Sequence, residues 1–78
     1  MHPYQRELLE SSLAAREREI IEYQVNIDNF RLAIKQVEDA DLQEFKTQLQ
    51  TLLASSLLEQ KKAKIMQTVI QYQLDNAL

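Results

Sequence analysis

From residue 9 the apolar positions run Leu9, Leu13, Ile20, Tyr23, Ile27, Phe30, Ile34 and Val37, at spacings of 4, 7, 3, 4, 3, 4 and 3. Alternating steps of three and four are the heptad of a helix with one buried stripe, and Arg16 fills the one polar slot on it. The pattern predicts a helix over about 4–37. Pro3 suits its first turn, where a missing N–H costs nothing, and Glu7 and Glu10 sit near the positive end of the dipole. A second stripe runs Leu42, Phe45, Leu49, Leu52, Leu53, Ser56, Ala63, Met66, Ile70, Leu74 and Ala77, which predicts a helix over about 41–76.

Between the arms lies Glu38-Asp39-Ala40-Asp41, the one convincing break, so the turn is placed at about 38–41. Asp41 and Glu44 have the spacing of a capping box, and without glycine a left-handed closure has to use a residue such as Asp39. The alternative is one unbroken helix about 110 Å long. With the break, the near-equal arms fold into an all-α, two-helix antiparallel hairpin. Folding about residue 40 sets Ile34 near Phe45, Phe30 near Leu49, Ile27 near Leu53 and Leu9 near Ile70. Phe30, Ile34, Phe45 and Leu49 are then the expected core nearest the turn. In the middle, Arg16 and Ile20 approach Glu59, Gln60 and Ala63. An Arg16–Glu59 pair there would fix the register, unless Arg16 extends to solvent instead.

A hairpin has a single seam, and helix 2 carries more apolar surface than that seam uses. Leu58, Ile65, Val69 and Tyr72 fall roughly opposite the Met66–Ile70 stripe, with a weaker counterpart in Ile21, Val25 and Leu32 on helix 1. These seven residues are the candidate partner-binding surface, which is completed either by another helical protein or by a second copy in a four-helix bundle.

Composition narrows the chemistry. The 78 residues contain no glycine and no cysteine, which removes glycine-rich phosphate loops, disulfides and thiol catalysis. The single histidine, His2, reads as a frayed terminal residue, and no Glu-x-x-His pair offers a helical metal site. Ser11-Ser12 and Ser55-Ser56 have no histidine partner, so neither a catalytic nor a cofactor or metal site is expected. Nine basic against twelve acidic residues give a net charge of −3, which disfavours nucleic acid as a ligand. Lys61, Lys62 and Lys64 form the one basic cluster and read as a solvated face. No stretch reaches the length of a bilayer span, and the N-terminal residues lack the apolar core of a secretory signal, so a cytoplasmic protein is expected.

The acidic turn Asp39-Ala40-Asp41, the helix start Leu42-Gln43-Glu44-Phe45 and the run Ala63-Lys64-Ile65-Met66-Gln67-Thr68-Val69-Ile70-Gln71-Tyr72 together resemble the small "E" co-chaperones of type III secretion needle subunits. The resemblance covers nearly the whole chain and consists of size, layout and turn. It implies a non-enzymatic hairpin in the bacterial cytosol that docks on a helical-repeat co-chaperone, the pair holding a needle subunit unpolymerised. It transfers no site residue, and the glycine-free turn departs from some members. The alternative from another class is a homodimeric four-helix-bundle accessory or regulatory protein of plasmid or phage type, resembling the small RNA-binding hairpin regulators.

Overall fold

A computed structural model describes residues 1–38 and 41–76. Helix α1 covers Pro3–Val37 and helix α2 covers Gln43–Asn76, packed side by side as an antiparallel hairpin. No strand occurs among the described residues, and the molecule is a rod of 58 × 14 × 13 Å. Helix α2 starts two residues later than the sequence pattern places it.

Helix α1 begins as the proline predicts, with an added device. His2 is its N-cap, with Nδ1 accepting from the Tyr4 amide at 3.1 Å, while its own amide donates to Gln5 Oε1 at 3.2 Å. Two donors of the first turn are thereby satisfied, so His2 is built into the helix start and is not frayed. At the other end Asp41 takes a positive φ of 54°. It supplies the left-handed residue, so it does not serve as the capping partner of Glu44; Asp39, the candidate for that conformation, lies outside the described residues, as do Ala40 and Ala77. The Leu42 carbonyl accepts the first helical bond of α2 from the Lys46 amide at 2.9 Å.

The stripe of α1 is the one its pattern predicts. Ile27 and Val37 are buried, and Leu9, Leu13, Arg16, Ile20, Tyr23, Phe30 and Ile34 are half-buried along the same line. The stripe of α2 is different. The covered positions on the seam are Lys46, Leu49, Leu53, Ser56, Gln60, Ala63, Gln67, Ile70 and Leu74, an unbroken alternation of three and four, with Glu59 half-buried beside them. Leu42, Phe45, Leu52 and Met66, expected on the seam, are exposed. Of the core expected near the turn, Leu49 is buried, Phe30 and Ile34 are half-buried, and Phe45 is 46% exposed.

The reason is register. Gln60 Nε2 donates to the Ile20 carbonyl at 3.1 Å and to Gln24 Oε1 at 2.9 Å, and Lys46 Nζ stands 3.9 Å from Glu38 Oε1. The Gln60–Gln24 and Lys46–Glu38 ties shift α2 along α1 relative to a fold about residue 40, while the Gln60–Ile20 bond alone keeps to it. With α2 turned to suit that register, Phe45, Leu52 and Met66, at intervals of a multiple of seven, rotate together out of the seam.

Candidate functional site: the surfaces the seam leaves uncovered

The seam itself contains no reactive constellation. Its polar members are structural, with Ser56 8% and Gln60 6% exposed. Gln60 is held from behind as well, because Gln24, which accepts from it, donates through Nε2 to Asp28 Oδ1 at 2.9 Å. A buried side-chain amide with both its donor bonds made is tolerated, where one left unpaired costs about 1–3 kcal/mol. The register therefore rests on this neutral amide. Arg16 does not reach Glu59: its Nη2 pairs with Glu19 Oε1 at 2.8 Å on its own helix, and Glu59 pairs with Lys62 at 3.1 Å. The Arg16 Nε is buried with no hydrogen-bond partner among the described residues.

Around the seam the two flanks differ. On one, every seventh residue gives Gln5, Ser12, Glu19, Asn26 and Ala33 from α1, and Phe45, Leu52, Glu59, Met66 and Gln73 from α2. Two grooves fix this as a single flank. Met1, Gln5, Leu8, Leu9, Tyr72 and Gln73 line one at the open end, and Arg16, Glu19, Tyr23, Glu59, Lys62, Ala63 and Met66 line one at the middle. The opposite flank repeats Glu10, Glu17, Gln24, Arg31 and Glu38 from α1 and Gln43, Gln50, Leu57, Lys64 and Gln71 from α2, which is polar except for Leu57. The apolar surplus of the grooved flank comes from Phe45, Leu52 and Met66 of α2, while its α1 side, Gln5, Ser12, Glu19 and Asn26, is polar.

All seven candidate partner-binding residues are exposed: Leu58 (53%), Ile65 (57%), Val69 (44%), Tyr72 (64%), Ile21 (65%), Val25 (53%) and Leu32 (59%). The structure does not bring them together. Leu58, Ile65 and Tyr72, seven apart, form a ridge along the back of α2, with Val69 beside it on the groove flank. Val25 and Leu32, also seven apart, lie along the back of α1, on the opposite edge of the rod. The sequence pattern missed Phe45, Leu52 and Met66 as surface residues. The unbroken alternation from Leu49 through Leu74 was the signal for it, masked because its middle members are serine, glutamine and alanine.

Among the described residues no group of three or more His, Asp or Glu side chains is placed to hold a metal ion, and no helix is long and apolar enough to cross a membrane. Comparison with protein-family models, curated proteins and solved structures finds no match to this chain.

Proposed function

We infer that this chain is a non-enzymatic interaction module whose α2 ridge docks into an apolar groove of another helical protein. One observation carries the reading: Leu58, Ile65, Val69 and Tyr72 stand exposed on the outer side of α2, covered by nothing among the described residues. Anchors at such spacings on a preformed helix are what a helix-in-groove complex uses. Covering them recovers about 1.5–3 kcal/mol for each large side chain fully buried. The preformed helix spares the complex the cost of ordering it on binding. The resemblance to needle-subunit co-chaperones gives the reading its concrete form: a cytoplasmic hairpin that, with a helical-repeat co-chaperone, keeps a filament-forming subunit from assembling.

The test is co-purification of the tagged chain with proteins of its own host, comparing the wild type with Ile65→Asp and Val69→Asp. The wild type is expected to retain a helical partner at fixed stoichiometry. Each aspartate variant is expected to lose it, with helicity by circular dichroism unchanged, because a charge is forced into an apolar contact. On the co-chaperone form of the reading, the recovered complex holds a subunit that polymerises once released. Retention of the same partner by both aspartate variants would show that the ridge is not the docking surface.

A further inference from the structure

We propose that the hairpin has a second packing within reach, in which α2 rolls on α1 and draws Phe45, Leu52 and Met66 into the seam, and that the adjacent pair Glu59 and Gln60 sets the balance between the two packings. Three lines on α2, each repeating every seven residues, are involved. The deepest, Leu49, Ser56, Ala63 and Ile70, is only 4–8% exposed. On one side of it runs the line that completes the observed seam, Lys46, Leu53, Gln60, Gln67 and Leu74, of which three members are polar. On the other side run Phe45, Leu52, Glu59, Met66 and Gln73, of which three are large and apolar, yet Phe45, Leu52 and Met66 are 46%, 48% and 45% exposed. The two outer lines are made of consecutive residues, about 100° apart around the helix. The seam is centred midway between the deep line and one outer line, so exchanging the outer lines takes a roll of about half that angle, roughly 50°.

The deep line stays against α1 in both packings and is the pivot. Its middle members, Ser56 and Ala63, are small, so the helices turn past each other there without a bulky side chain having to leave its hole. Helix α1 offers the same stripe, Leu9 to Val37, to either outer line. The exchange is nearly even. Rolling covers Phe45, Leu52 and Met66, uncovers Leu53 and Leu74, and returns Lys46, Gln60 and Gln67 to water. Against it stand the two bonds that Gln60 makes to the Ile20 carbonyl and to Gln24. The carboxylate of Glu59 also opposes it, because the roll carries that group from the rim, where it pairs with Lys62, toward the apolar seam. An uncharged amide at 60 beside a charged carboxylate at 59 is what holds the observed packing. The apolar surplus of the grooved flank is then a stored seam that α1 itself can cover. Leu58, Ile65 and Tyr72 stay outside in both packings, so this proposal and the docking reading fail separately.

Exchanging the two residues, Glu59→Gln together with Gln60→Glu, keeps composition and net charge and reverses the bias. Glutamate at 60 sets a carboxylate against the Ile20 carbonyl, whereas glutamine at 59 enters the seam uncharged. Methyl-resolved NMR with a soluble gadolinium chelate reads which side chains meet water. In the wild type the methyls of Leu52 and Met66 are expected to relax more strongly than those of Leu53 and Leu74. In the exchanged variant that order is expected to invert, with helicity by circular dichroism unchanged. An exchanged variant that keeps the wild-type order, or that loses its helicity instead of repacking, overturns the proposal. Glu59→Leu leaves both Gln60 bonds in place and adds an apolar residue to the line of Leu52 and Met66. It is expected to move the same methyls part of the way, Met66 relaxing less and Leu53 more than in the wild type, and unchanged relaxation at both overturns the proposal as well.

Discussion

Gln60 is the side chain on which the alignment of the two helices turns. Its carboxamide bonds to a main-chain carbonyl and to Gln24, and neither bond survives a slip of one helix past the other. Gln60→Ala is expected to lower stability by about 1–3 kcal/mol, at about 0.5–1.5 kcal/mol for each of two bonds. Gln60→Leu should recover most of that loss, because the Ile20 carbonyl lies within α1 and keeps its helical acceptor role, while leucine restores apolar volume. What leucine removes is alignment, as a polar seam residue does when it specifies register in a coiled coil. Urea midpoints of the three proteins check the energies, and exchange-broadened side-chain resonances in the leucine variant alone check the loss of a single register.

At the scale of the element, the turn is where the absence of glycine is felt. Asp41 holds φ at 54°, a region aspartate enters at some cost and glycine enters readily. Asp41→Gly is therefore expected to raise stability by about 1 kcal/mol, read as an upward shift of the thermal midpoint. Helix α1 was legible because each stripe position but Arg16 is a large apolar residue, and its extent follows within a residue. Helix α2 was legible as a helix but not in its facing: Phe45, Leu52 and Met66 are more apolar than Ser56, Gln60 and Gln67, yet they lie outside. Hydrophobicity along one helix shows that an apolar face exists. It does not say which of two apolar faces the neighbouring helix takes, since that depends on register, and register here rests on an amide that no apolar count detects. Of the candidate surface, the exposure of all seven residues was readable, whereas their division between two edges required both helices in place.

For the whole molecule, that division separates the ridges. A partner seated along Leu58, Ile65 and Tyr72 stands on the far side of the rod from Val25 and Leu32. Val25→Asp and Leu32→Asp are accordingly expected to leave co-purification of that partner unchanged, under the conditions in which Ile65→Asp abolishes it. Loss of the partner in either α1 variant would mean that the bound protein wraps both edges.

The antiparallel layout also places Pro3 and Asn76 at one end of the rod, beside the groove shared by Met1 and Tyr72. A pull applied between those two points acts across the helices and not along them. The seam then peels layer by layer from Leu9 and Leu74 inward, each layer giving way at low force, and the Gln60 amide is met halfway. Loaded instead along a single helix, from the open end to the turn, the rod holds through that helix's own ladder of backbone hydrogen bonds, and no layer of the seam has to part. The same hairpin is therefore a weak link when drawn apart at its termini and a stiff strut when loaded lengthwise.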